Sequence, residues 1–150
     1  MSTTATITLN PSIIGQAEKH HTAVLSLALS GTTLDEKQWI TLNQALAAGA
    51  AVERDAHIAR IATMTQWAPA AVADALSALL ESGLLAAQGD RIEVTEVGRA
   101  MVGRVRAESG RIVNAAYGSV SPEDLATVAR VLTVITARMA EELAGAESAR

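Results

Sequence analysis

The side chains best able to do chemistry in this chain are three histidines, two tryptophans and a scatter of arginines. His20 and His21 are adjacent. On a helix their side chains point about 100° apart, whereas two helical ligands of one metal sit three or four residues apart. Glu18 and Lys19 do not supply the missing partner and His57 is distant in sequence, so no metal site is expected. Two readings stay open for the pair: hydrogen-bonded interface histidines, or a pocket in which His20 or His21 binds an acidic effector and makes its release pH-sensitive. The chain has no Cys, which excludes disulfides, zinc–thiolate sites, iron–sulfur clusters and thiol catalysis or sensing. It also has no Gly-rich phosphate loop, no supported Ser-His-acid pattern and no carboxylate pair at metal spacing. Neither an enzyme nor a bound cofactor is expected.

The cations suggest a different chemistry. The net charge of −4 argues against a broad coat on nucleic acid, because such binding rests on Lys and Arg neutralising phosphates. A local basic site is still open. Arg54, Arg60 and Arg91 are separate in sequence, while Arg99, Arg104, Arg106 and Arg111 face a single nearby acid, Glu108. The last four read as a solvated helix face, with Arg99 placed to meet Glu96 or another acid. Trp39 and Trp67 read first as core residues.

The elements that must position these groups follow from patterning. Hydrophobic residues make up 49% of the 150, aromatics only 2%, and Phe is absent. Such a core suits closely packed helices, and a chain of this length can bury one. No apolar run reaches the roughly 18 residues of a membrane span, and "MSTTATITLNPS" lacks the marks of a signal peptide. A cytoplasmic protein with no membrane partner is expected. After a polar arm, a helix is expected from Pro11 to about Leu29, apolar on two faces and so buried on two sides. Thr33-x-x-Glu36 reads as a capping box opening a second helix that Gly49 closes. A short helix, about Arg54–Ala62, leads into a turn over Thr63–Trp67. Pro69 then starts "PAAVADALSALLE", striped by Val72, Leu76, Leu79 and Leu80 and ended by Gly83. Ile92 and Val94 alternate with polar residues, and Gly89-Asp90 signals a hairpin turn. Gly98 to about Tyr117 is helical again. Ser121-Pro122-Glu123-Asp124 caps a final helix, whose Leu125, Val128, Leu132, Ile135 and Met139 form a narrow helix-packing seam.

Short helix, turn, helix and hairpin in this order make the winged-helix plan, in which the second helix of the pair enters the major groove. The first and last helices have more apolar surface than this motif can cover. An intertwined two-fold dimer would cover it and present two reading helices to a palindromic site.

Here "LDEKQWITL", "VADALSALLESGLL" and "VTEVGRAMV" make the chain resemble the MarR family of multiple-antibiotic-resistance-type regulators, over about residues 12–145. The resemblance implies a mainly α fold with a small β-hairpin wing, as a single domain over 1–150. Within it, 34–98 would be the winged helix-turn-helix, and 12–30 and 99–145 the dimerisation helices. It implies a homodimeric transcription regulator on double-stranded DNA, usually a repressor released by a small lipophilic or phenolic effector. Three features differ from the family's pattern: Ala68 stands at the usual Ser/Thr cap, Ala70, Ala71, Ala73 and Asp74 occupy the reading positions, and the wing is short, with Arg91 alone. DNA contacts are therefore expected from Arg54, Arg60, Thr63, Thr65, Gln66, Ala70, Ala71, Asp74 and Arg91, and effector contacts from His20, His21 and Trp39. The alternative is a winged-helix dimer with weak or lost DNA binding that serves as a ligand-binding or protein-interaction module.

Overall fold

The computed structural model describes residues 5–150. They form α1 (Pro11–Leu29), α2 (Glu36–Ala47), β1 (Val52–Glu53), α3 (Arg54–Thr65), α4 (Pro69–Glu81), β2 (Leu85–Gln88), β3 (Arg91–Val94), α5 (Glu96–Tyr117) and α6 (Pro122–Ser148). The chain divides into two compact units, one ending at Gly110 and the other spanning Arg111–Arg150.

In the first unit α2 packs on α4, α3 packs on α4, and a three-stranded antiparallel sheet of order β1-β3-β2 closes one side. The main core joins Leu42 and Trp39 of α2, Leu76 and Leu79 of α4, Leu85 and Ile92 of the sheet, and Val102 and Val105 of α5. A smaller cluster of Ile61, Ala62 and Val72 holds α3 against α4, with Trp67 packed at its edge.

Four local details correct the sequence reading. The capping box opening α2 is Asp35 with Gln38, not Thr33 with Glu36: Asp35 Oδ1 accepts from Gln38 N at 2.8 Å, and Asp35 N donates back to Gln38 Oε1 at 3.0 Å. Both pairs fit the motif, but only the observed one puts apolar residues at the staple positions around the cap. These are Leu34 and Trp39, both in the main core. Second, α3 runs three residues beyond Ala62, because the Thr65 hydroxyl donates to Ile61 O at 2.7 Å and Gln66 ends the helix in the left-handed region at φ 61°. Third, β1 adds a third strand to the hairpin: Val52 pairs with Ile92 and Glu53 with Arg91. Fourth, α5 begins at Glu96, two residues before Gly98.

The wing is anchored by two linked motifs. At the end of α4, Gly83 at φ 77° lets Leu84 N donate to Leu79 O and Gly83 N to Leu80 O, a Schellman ending. Thr95 then ties the strand exit to this turn: its hydroxyl donates to Gly83 O at 2.7 Å and accepts from Gly98 N at 3.1 Å. Gly98 is required there, since a Cβ at that position would lie 2.2 Å from Leu84 O. These contacts give the "VTEVG" run a physical role.

In the second unit α6 is capped by Ser121, whose hydroxyl accepts from Asp124 N at 3.1 Å. No residue of α6 is buried. Of its seam, Leu125 and Leu132 are half-buried, while Val128, Ile135 and Met139 are exposed.

Candidate nucleic-acid interface

The expected DNA-contact residues lie on the helix pair α3–α4, on the turn between its helices and on the wing, in very different states. On α4, Val72, Ala75, Leu76 and Leu79 are buried. The opposite stripe leaves Ala70 and Asp74 exposed and Ala71 and Ala73 half-buried. The only charged side chains of α4 are Asp74 and Glu81. Ala68 gives α4 no side-chain cap, and Ala71 N bonds to the Ala68 carbonyl instead.

The residues before α4 are largely engaged within the chain. The Thr65 hydroxyl, besides donating to Ile61 O, accepts from Trp67 N at 3.3 Å. The Gln66 amide donates to Thr63 O at 2.7 Å, and Thr63 itself is exposed. Lys37 lies over the Trp67 ring, 4.9 Å from its centroid, a cation–π contact that joins the start of α2 to the turn before α4.

The three expected arginines separate into two groups. Arg54 turns toward α4 and donates to Ser77 Oγ at 3.2 Å. Arg60 and Arg91 instead line one cleft of about 450 Å³, with Ala48, Ala51, Val52, Glu53, Ala56 and His57. Arg91 donates to Ala51 O at 2.7 Å. Glu53 stands directly across the strand pair from Arg91, yet its carboxylate caps α3, accepting from Asp55 N at 3.1 Å and Ala56 N at 2.7 Å. Among the described residues the ion pairs are those of Arg138 with Glu141 and Glu142, on exposed α6. Arg60 and Arg91 therefore keep unneutralised charge and free N–H donors, because each guanidinium has five.

At the back of the cleft lies His57, which the sequence reading did not place at a site. It is 1% exposed. Its Nε2 lies 3.0 Å from Thr41 O, and its Nδ1 lies 3.2 Å from a guanidinium nitrogen of Arg60. Burial pushes its pKa below the usual value of 6.5; the bond to the Thr41 carbonyl opposes this and the Arg60 charge reinforces it. The available sequence signal was a His three residues before an Arg on one helix, but the Thr41 partner is 16 residues away.

The expected effector residues do not converge. His20 and His21 are exposed, and their Nδ1 atoms face the carbonyls of Gln16 and Ala17 at 2.7 Å, one turn back on α1. Trp39 is buried in the main core. A cleft of about 300 Å³ between α1 and α2 is lined by other residues, among them Thr22, Leu25, Ser26 and Asp35. Arg106, in the run read as a solvated face, reaches α2 and donates twice to Asn43 Oδ1, at 3.1 and 2.6 Å. Among the described residues no group of three or more acidic or His side chains is placed to hold a metal ion, and no helix is long and apolar enough to cross a membrane.

No family model matches the sequence, and no curated protein matches it either. Solved structures match its shape. A MarR-family transcriptional regulator from Silicibacter pomeroyi aligns at 17% identity over 85% of this chain and 88% of its own, with a TM-score of 0.72. The fold is that of the MarR family. The reduced form of MarR from E. coli aligns at 15% identity over 87% and 95% of the two chains, with a TM-score of 0.64. BpsR of Bordetella bronchiseptica, whose DNA binding is regulated by 6-hydroxynicotinic acid, aligns at 19% identity over 85% and 93%, with a TM-score of 0.66. In this MarR-type fold α3 and α4 are the helix-turn-helix pair, and β2–β3, with β1 alongside, is the wing.

Proposed function

We propose that this chain is a DNA-binding transcription regulator that acts as a homodimer on a palindromic operator, as a repressor released by a small lipophilic or phenolic effector. The observation that carries the reading is the cleft in which Arg60 and Arg91 stand without a carboxylate partner beside a winged helix-turn-helix. Such guanidiniums suit phosphate oxygens, which position a protein on the duplex. Arg54 and Thr63 add polar contacts at the same side, with Thr65 and Gln66 shaping the turn that leads to α4. Ala70 and Ala71 are small enough for α4 to approach bases and to touch a thymine methyl. Asp74 is the one charge at the reading positions.

The domain plan belongs to the same proposal: one MarR-like domain over 1–150, with 34–98 the winged helix-turn-helix and 12–30 and 99–145 pairing between subunits. The exposed seam of Val128, Ile135 and Met139 supports such pairing. His20, His21 and Trp39 are the proposed effector contacts, and a cytoplasmic location accords with the role. BpsR, with a small-molecule regulator of its DNA binding, supports the ligand-responsive reading.

A second reading, a winged-helix dimer that has lost DNA binding and serves as a ligand-binding or protein-interaction module, is favoured by one observation. The outward face of α4 has no cation and its N-terminus has no side-chain cap. A gel shift with the DNA upstream of the protein's own gene, at low and moderate salt, separates the two. A shift that weakens gently with salt supports the regulator. No shift at any salt supports the module.

A further inference from the structure

We propose that His57 is a positioning residue for Arg60: a neutral imidazole with its proton on Nε2 holds the guanidinium beside the cleft that Arg91 shares. This rests on the reading of Arg60 as a phosphate contact. The tautomer follows from the partners. The Thr41 carbonyl at 3.0 Å can only accept, so Nε2 donates to it. Arg60, at 3.2 Å, can only donate, so Nδ1 presents its lone pair. The two bonds select one tautomer of one charge state. Arg60 has one further hold, the Gln44 carbonyl at 3.5 Å, at the limit of a useful bond. The imidazole is therefore the firmer of its two attachments.

A second proton on His57 would have to sit on Nδ1, pointing at a cation. The charged groups sharing the cleft with His57 are Glu53, Arg60 and Arg91. Glu53 is committed to the amides of Asp55 and Ala56. α2 supplies Thr41 and Gln44, and its two charged residues, Glu36 and Lys37, lie in its first turn, with Lys37 over Trp67. The charged residues of α4, Asp74 and Glu81, are exposed. On α3 itself Asp55 is exposed and, two residues from His57, points to another face of the helix, so no carboxylate on these elements is placed to stabilise an imidazolium at His57. Acidification thus removes the Arg60 acceptor and replaces it with a like charge, and the guanidinium leaves its position.

Glutamine at position 57 can make both bonds without titrating: its amide NH₂ donates to the Thr41 carbonyl and its oxygen accepts from Arg60. Leucine can make neither. The test is fluorescence anisotropy of a labelled duplex from upstream of the protein's own gene, between about pH 5.5 and 8. The full-length wild type, His57→Gln, His57→Leu and Arg60→Ala are compared. We expect His57→Leu to lose affinity severalfold at the alkaline end, as Arg60→Ala does, and His57→Gln to restore it. As pH falls from about 6.5 toward the lowered pKa of folded His57, the wild type weakens severalfold relative to His57→Gln; taking this ratio cancels pH effects common to the two proteins. A His57→Gln protein with the wild-type pH profile, or a His57→Leu protein binding as tightly as wild type, overturns the proposal. If His57→Leu does not fold, the His57→Gln profile decides alone.

A second readout needs no DNA. In ¹⁵N spectra of the imidazoles near neutral pH, His57 should be the Nε2–H tautomer, and its Nδ1 resonance should move in Arg60→Ala. An Nδ1–H tautomer, or an unmoved Nδ1, overturns the proposal. If no form of the protein binds DNA, the regulator reading fails and the spectra alone judge the His57–Arg60 link.

Discussion

The outward face of α4 and the cleft between α3 and the wing belong to one winged helix-turn-helix, but their chemistry is opposite. The helix shows methyl groups and two carboxylates, Asp74 and Glu81. The cleft shows Arg60 and Arg91, each tethered by neutral acceptors and neither neutralised. The difference arises from competition for carboxylates. Glu53 faces Arg91 across the strands and would quench it, but the first amides of α3 claim both its oxygens. One acid thus starts a helix and leaves a cation available. In a protein of net charge −4, the positive field is made locally by how the acids are used. Phosphate contacts fix register while base edges carry sequence, so the proposed regulator would anchor more strongly than it discriminates.

Removing the cations of the cleft should have the largest effect. Arg60→Ala with Arg91→Ala removes four guanidiniums from the proposed dimer and should weaken binding to the upstream DNA about a hundredfold at low salt, each lost contact contributing on the order of 0.5–1 kcal/mol; anisotropy titration checks this. An equal loss from Asp74→Ala would reverse the assignment of roles.

The next largest effect is on the frame that holds the wing beside α4. Gly98→Ala drives a methyl into the Leu84 carbonyl and should cost about 1–3 kcal/mol, read as a lower denaturant midpoint. Ala68→Ser supplies the missing cap of α4 and should add about 1 kcal/mol, raising the midpoint while leaving the cleft as it is.

His57 gives stability a pH dependence of known sign. Its pKa is lowered in the folded state, so the unfolded chain binds the proton more readily. Above about pH 6.5 the contribution is complete. As pH falls below that value, toward and through the lowered folded pKa, stability declines, with a slope of at most about 1.4 kcal/mol per pH unit. Urea melts across this window should show the decline in wild type, and His57→Gln should lack it. The smallest effect is on the α4 face: Asp74→Ala removes one repulsive charge and should raise DNA affinity by less than about threefold.

The unequal legibility of these regions has physical causes. α4, the hairpin turn and the α6 cap could be read because each rests on contacts within a few residues, such as Gly83 at φ 77° and the Ser121 hydroxyl on Asp124 N. β1 could not, because two residues carry no period and their pairing with Arg91 and Ile92 is nonlocal. The α2 cap was ambiguous until burial of Leu34 and Trp39 chose between two valid boxes. Arg54, Arg60 and Arg91 were recognisable as candidates by charge alone. That Arg54 turns to Ser77 while the other two share a cleft depends on the packing of α3 against α2, α4 and β1. His57 was missed as a site residue because its acceptor lies on another helix. Trp39 reads from the sequence first as a core residue, and it lies in the core.

The most direct test is the dependence of DNA affinity on salt, for the wild type and for the Arg60→Ala, Arg91→Ala double variant. With the two clefts of the proposed dimer, four guanidiniums account for a slope of log K against log salt of about −4. The wild-type slope should be steeper than that of the double variant by about this amount, the share left in the double variant being that of Arg54. A wild-type slope that the double variant leaves unchanged would contradict this.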